Sequence, residues 1–203
     1  MKSGQWLREH ATDQFVRRAK AQGWRSRAVF KLEEIDRREK LLRPGQVCID
    51  LGAAPGAWSQ YARTRVGRRG RVLATDILPI EPMAGIEFFQ GDFREPAVLQ
   101  RILESLPQRA VDVVLSDMAP NLSGIDAIDQ PRTLHLAELA VEFAGQVLKP
   151  HGHALIKLFQ GAGFQELLAD ARKRFSAVKL LKPAASRARS PEVYLLAKHV
   201  LLV

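Results

Sequence analysis

Four aspartates and a lysine terminate or interrupt short apolar runs along this chain: Asp50 in VCID, Asp76 in RVLATD, Asp92 in IEFFQGD, Asp117 in VDVVLSD and Lys157 in HALIKLF. A carboxylate at a strand end can accept hydrogen bonds from both hydroxyls of a ribose, which suits Asp76, or from an adenine amino group, which suits Asp92. Each acid alone is as well explained by a helix cap or a turn. Asp50, Asp76 and Asp92 at three consecutive strand ends instead suggest a nucleoside-binding crevice, with Asp117 beside it. Lysine inside an apolar strand is unusual. Lys157 is therefore either a side chain snorkelling to water or a general base that takes a proton from a hydroxyl. As a base it must be available uncharged, which burial and a nearby cation favour; Lys31 is the candidate cation. Asp117, if close, acts in the opposite sense and would serve to position groups.

The first of these runs leads into DLGAAPGAWSQ, residues 50–60. In an open parallel sheet, ligands bind beyond the carboxyl ends of the strands, where the order of the strands reverses. The dinucleotide fingerprint G-x-G-x-x-G fails here, because Gly52 is followed by Ala53, Ala54 and Pro55 before Gly56. Pro55 also removes one amide that could hold phosphate. A nucleoside ligand with little or no phosphate fits these constraints, and S-adenosylmethionine is such a ligand. The fourth strand end, SDMAPN (116–121), lacks the aromatic that stacks on a flipped base in amino-group methyltransferases. Cys48 is misplaced for attack on a cytosine ring. Both departures point to a hydroxyl acceptor.

The elements that must position these groups follow from pattern. VCIDL (47–51), RVLATD (71–76), IEFFQGD (86–92), VDVVLSD (111–117) and HALIKLF (153–159) read as strands. WSQYARTRV, EPAVLQRILESL and TLHLAELAVEFAGQVL between them carry helical spacing, and LKPHG (148–152) supplies helix stop signals. After the helix GFQELLADARKRF, the runs AVKLL and VYLLAKHVLLV follow without a crossover helix and should pair antiparallel. The predicted class is α/β: a mostly parallel seven-stranded sheet with a C-terminal antiparallel pair and helices on both faces, the layout of Rossmann-like methyltransferases. One domain over 1–203 is expected, with a basic helical extension over 1–44 that contacts RNA and a Rossmann-like core over 45–203.

The formal net charge is +9, which favours a polyanionic partner. Residues 1–31 hold eight basic side chains against Glu9 and Asp13, and residues 172–190 hold seven and no acid. RTRVGRRGR (63–71) adds five arginines. With Trp6, Phe15 and Trp24 interleaved in the first cluster, nucleic acid is the expected partner. Candidates for phosphate contacts are Lys2, Arg8, Arg17, Arg18, Arg25 and the arginines of SRARS, Arg187 and Arg189. The single cysteine, Cys48, excludes an internal disulfide and a multi-cysteine metal site, and its apolar surroundings suggest a core residue. No signal peptide or membrane span is legible, so a cytoplasmic protein is expected.

Six stretches in order, SRAVFKLEEID (26–36), DLGAAPGAWSQ, QGDFRE (90–95), SDMAPNLSG (116–124), KLFQGAGF (157–164) and KPAASRARSPEVY (182–194), make the chain resemble the FtsJ-type ribosomal RNA ribose 2′-O-methyltransferases over residues 4–198. The resemblance implies a Lys-Asp-Lys-Glu tetrad on Lys31, Asp117, Lys157 and Glu192. It implies a donor site for S-adenosylmethionine on Gly56, Trp58, Asp76, Asp92 and Asp117, and no metal. It further implies methylation of a uridine ribose in the A loop of large-subunit ribosomal RNA, within the ribosomal particle, by a monomer. Ala57 departs from the family's usual Gly, which could tighten the turn. Two other functions remain open on the residues: a nicotinamide-dependent oxidoreductase, against which the glycine spacing speaks, and a non-catalytic RNA-binding or assembly protein.

Overall fold

The computed structural model describes residues 13–106, 110–120, 126–187 and 190–201. The strands are β1 (Val47–Leu51), β2 (Arg71–Asp76), β3 (Ile86–Gln90), β4 (Val111–Ser116), β5 (Leu148–Phe159), β6 (Phe175–Leu181) and β7 (Glu192–Val200). The helices are α1 (Gln14–Ala21), α2 (Val29–Glu39), α3 (Ala57–Val66), α4 (Pro96–Glu104), α5 (Asp126–Val147) and α6 (Phe164–Arg174). Alternate residues of each strand face opposite sides of the sheet. Ile49, Leu51, Leu73, Val114, Ile156 and Leu195 join one apolar cluster with α4, α5 and α6. Cys48, Val72, Val113, Leu115, Leu155 and Leu196 join the other, with α1, α2 and α3. The buried thiol of Cys48 is one of these core groups, as expected.

The seven strands lie in the order β3-β2-β1-β4-β5-β7-β6. Strands β1 to β5 pair in parallel, and β7 runs antiparallel between β5 and β6. The order reverses between β1 and β4, which places a crevice beyond their carboxyl ends.

One boundary differs from the sequence pattern. The stop signals of LKPHG do end α5, but β5 begins at once, at Leu148. Val111 pairs with Leu148 and Val113 with His153, so the segment holding Pro150 and Gly152 bulges out of register. Proline is tolerated there because a bulge asks for no ladder amide.

Helix α2 is welded to the core. Val29, Phe30, Leu32 and Ile35 are buried in the same cluster as Cys48 and Trp58. The fully buried Asp36 accepts from Leu42 N at 2.8 Å, Tyr61 OH at 3.0 Å and Arg65 Nε at 2.9 Å, tying α2 to α3. No helix among the described residues is long and apolar enough to cross a membrane.

Candidate active site

Strand periodicity brings the predicted tetrad to one face. Lys157 of β5 stands opposite Tyr194 of β7, and Phe159 opposite Glu192. Lys157, Glu192 and Tyr194 share the strand parity of Leu155 and Leu196, so they lie on the side of the sheet covered by α2, which carries Lys31. Asp117 follows β4, its amide bonded to Leu51 O at 3.3 Å.

These side chains form a continuous polar chain. Lys157 Nζ lies 3.1 Å from Asp117 Oδ1 and donates to the Asp117 carbonyl at 2.5 Å. Tyr194 OH donates to Asp117 Oδ1 at 2.8 Å and lies 3.4 Å from Glu192 Oε1. Glu192 closes on Lys31, whose Nζ is 2.8 Å from Oε1 and 2.9 Å from Oε2. Ser186 OH also donates to Glu192, at 2.7 Å. Two ion pairs are thus joined through one phenol, a role the sequence pattern had left unassigned. Tyr194 was legible in principle: two residues after Glu192 on a strand, it must share its face.

Burial pushes the Asp117 carboxyl up, but Lys157, Lys31 and the Tyr194 hydroxyl outweigh it and hold the group below its ordinary value. Asp117 is therefore an anion in the neutral range. Burial, reinforced by the carboxylates of Asp117 and Glu192, pushes the Tyr194 phenol well above its ordinary value. It remains a hydrogen-bond donor.

Beside this chain lies a cleft of about 580 Å³, within the range of about 300–1,000 Å³ common for small-molecule sites. Asp76, Asp92 and Asp117 line it, with Ile77, Phe93, Met118 and Leu136 as apolar walls. Asp117 belongs to both cleft and polar chain. Arg132 and His135 of α5 also reach the cleft, a contribution absent from the sequence pattern. Asp76 holds the amides of Ala54 and Leu78, each at 2.8 Å, so it is a turn former as well as a lining acceptor. Asp92 is clasped by Arg94, Nη2 to Oδ2 at 2.6 Å and Nε to Oδ1 at 2.9 Å.

The turn spends its own amides internally. Gly52 and Ala53 donate to Thr75 O, Ala54 to Asp76 and Gly56 to Ala53 O, while Pro55 has no amide hydrogen. None of these donors is left for a pyrophosphate, which weighs against a dinucleotide. The glycines make room for protein: a Cβ on Gly52 would lie 2.6 Å from Met118 Cγ, and one on Gly56 2.7 Å from Met83 Cε. Gly56 and Trp58, expected at the donor, are not among the residues lining the cleft. The Trp58 indole is buried, donates to Ala28 O at 2.8 Å and packs against Tyr194 with ring centroids 5.7 Å apart. It braces the polar chain from behind.

Asp50 is fully buried next to the turn. Its Oδ2 accepts from Ser59 OH at 2.5 Å, while Oδ1 has no hydrogen-bond partner. Burial raises this carboxyl to about 7; the charges of Asp117 and Asp76 add to the rise, and the Ser59 bond opposes it. Between an unfolded value of 3.8 and a folded one of about 7, the native protein binds the extra proton, so this group costs stability as pH rises through that window. Asp50→Asn is neutral at every pH. Its stability relative to wild type should improve by about 2.5 kcal/mol between pH 5 and pH 8, rising at roughly 1.4 kcal/mol per pH unit up to about pH 7 and levelling off above it, in urea titrations. A difference independent of pH would contradict this.

The basic residues divide. Arg18 pairs with Glu33 at 3.3 Å and lies 4.3 Å from the Phe30 ring centroid. Arg25 is held by backbone carbonyls. Arg187 is exposed, and its charge acts on Arg27 near Glu192. Lys2, Trp6, Arg8 and Arg189 lie outside the described residues. Among the described residues, no group of three or more His, Cys, Asp or Glu side chains could hold a metal ion.

Comparison with known proteins agrees with this geometry. A family model described as FtsJ-like methyltransferase matches residues 24–200. The chain is 57% identical over 194 residues to Ribosomal RNA large subunit methyltransferase E of Stenotrophomonas maltophilia (strain K279a), spanning 96% of this chain and 92% of that one. It is 54% identical over 196 residues to the protein of the same name in Legionella pneumophila (strain Corby), spanning 97% and 95%. Its fold matches, with a TM-score of 0.77 and 27% identity, a Plasmodium falciparum chain whose crystal structure is described as that of a ribosomal RNA methyltransferase, covering 88% of this chain and 99% of that one. With a parallel sheet ending in an antiparallel strand, a nucleoside-sized cleft, and relatives aligned over nearly their whole length, the chain belongs to the FtsJ-like methyltransferase family.

Proposed function

We propose that this protein transfers a methyl group from S-adenosylmethionine to the 2′ oxygen of a ribose in large-subunit ribosomal RNA, the target being a uridine of the A loop. The observation that carries the chemistry is a lysine amine fixed by Asp117 at the edge of the cleft that Asp117 itself lines. The names of the Stenotrophomonas and Legionella relatives support the RNA. The resemblance of the six motif stretches supports the ribose and the nucleotide. The cleft suits the donor chemically: Asp76 has lone pairs for ribose hydroxyls, Ile77 and Phe93 offer apolar surface for a base, and Asp92 becomes an acceptor for an adenine amino group once Arg94, which fills both its oxygens here, swings aside. When bound, S-adenosylmethionine supplies a methyl group on a cationic sulfur.

Lys157 must first release the proton of its resting ammonium to solvent; the uncharged amine then takes the proton of the ribose 2′ hydroxyl on its Nζ lone pair as that oxygen becomes nucleophilic. Nζ has three substituent positions besides its carbon, and Asp117 occupies two of them. The third is where the hydroxyl binds. The Asp117 carboxylate is then the counter-ion for the ammonium left by the step, a stabilisation that grows as charge develops. Lys31, Glu192 and Tyr194 orient the ribose and keep Asp117 in place, and most of the acceleration comes from alignment of the reacting groups.

The test uses the purified protein, donor labelled in its methyl group, and large ribosomal subunits from a strain lacking this protein. One alkali-resistant ribose methyl in the A loop is expected. Label on a base, or none on RNA, would overturn the proposal. Calorimetric binding of NAD in place of S-adenosylmethionine would favour an oxidoreductase.

A further inference from the structure

Charge and position in the basic N-terminal cluster suggest that Arg25 binds RNA phosphate, but its contacts lead elsewhere. It lies between α1 and α2, half-buried, and its guanidinium donates to three main-chain carbonyls. Nη1 reaches Pro55 O at 3.1 Å and Glu81 O at 2.8 Å, and Nη2 reaches Pro82 O at 3.4 Å. Pro55 belongs to the turn after β1. Glu81 and Pro82 belong to the strap between β2 and β3, which also carries the cleft-lining Ile77 and Leu78. The Arg25 amide is fixed in turn by Gln60 Oε1 at 3.2 Å, and Gln60 Nε2 donates to Gly23 O at 2.9 Å.

Gly56 permits this arrangement. A Cβ there would come within 3.2 Å of Arg25 Cδ and 3.3 Å of Nη1, besides crowding Met83 of the strap. Its φ of 105° is also one that side-chain-bearing residues rarely adopt. Ile77 and Leu78 are more than half exposed, so the strap has little apolar packing of its own to hold it.

We infer that Arg25 is a positioning residue of the donor site: it pins the turn after β1 to the strap between β2 and β3 and so sets one wall of the cleft, rather than binding RNA phosphate. A planar guanidinium with five donors can serve three carbonyls at once, which an ammonium at the end of a shorter, single-pointed group does poorly. The inference rests on the donor assignment above, so the wild-type protein is tested first.

The probe is S-adenosylhomocysteine, titrated calorimetrically without RNA into wild-type, Arg25→Ala and Arg25→Lys proteins. Wild type should bind it; failure to bind would remove the donor assignment, and this inference with it. If wild type binds, Arg25→Ala should weaken affinity about tenfold, the scale of losing a charge-assisted hydrogen bond, with Arg25→Lys between the two. In turnover, the KM for donor should rise while kcat at saturating donor changes little. RNA affinity should keep its wild-type salt slope, because a lost phosphate contact would flatten that slope by about 0.7. Unchanged affinity for S-adenosylhomocysteine in Arg25→Ala, or a flattened salt slope, would overturn the inference. Thermal unfolding of both variants separates loss of the fold from loss of the wall, since Arg25→Lys keeps the charge and most of the aliphatic stem.

Discussion

Replacing Lys157 with methionine is expected to lower turnover about a thousandfold, within the range of about 10²–10⁴ contributed by a general base. Methionine keeps the length and most of the volume of the buried stem, so β5 and β7 should remain paired through Leu155–Leu196 and Phe159–Glu192. Donor affinity should stay close to wild type, because Lys157 is not among the residues that line the cleft. The loss should therefore appear in kcat, measured with labelled donor at saturating donor and RNA, with binding measured separately by calorimetry. Turnover within tenfold of wild type would remove Lys157 from the chemistry and leave Asp117 and Tyr194 as the groups to examine.

The second large effect concerns the fold that brings Lys31 to the site. Asp36→Ala is expected to cost about 2–6 kcal/mol, the scale of leaving two buried donors without an acceptor. Two donors, Leu42 N and Tyr61 OH, would lose their acceptor inside the protein, at about 1–3 kcal/mol each. Arg65 adds little, since its side chain is 45% exposed and water can replace the carboxylate. Set against total stabilities of about 5–15 kcal/mol, the change should move the urea midpoint far down and loosen α2, with Lys31 upon it. Asp36→Asn, which keeps one acceptor, should lie between. A loss below about 1 kcal/mol would mean that the segment around Leu42 and Tyr61 re-pairs elsewhere.

Much of this architecture was legible because strand and helix periods differ. VCIDL and RVLATD coincide with β1 and β2, since each is a short, mainly apolar run carrying an Asp at or next to its end and flanked by Gly or Pro, and each is too short for a helix. The start of β5 was not legible: Pro150 and Gly152 carry the same signal whether they end a helix or sit in a bulge, and only the pairing to β4 distinguishes the two. The strand-end acids were also readable, yet the bland and functional readings of Asp76 proved compatible, as it both shapes the turn and lines the cleft. Arg25 shows where composition runs out. Its positive charge suggests phosphate, whereas its partners are carbonyls of Pro55, Glu81 and Pro82, groups every residue possesses and no sequence pattern marks. Likewise, Gly56 reads as room for a ligand, and the room is taken by Arg25 and Met83.

The placement of β7 between β5 and β6 has a consequence for the chain during its own synthesis. Lys31, Asp117 and Lys157 leave the ribosome well before Glu192 and Tyr194, and β6 has no neighbour in the sheet until β7 slides in beside it. A nascent chain therefore holds two lysines and one acid without the phenol that joins them. Until β7 docks, the Lys31–Glu192 pair and the phenol bridge from Glu192 to Asp117 cannot form, so under the proposed function the polar chain is completed late in folding rather than strand by strand.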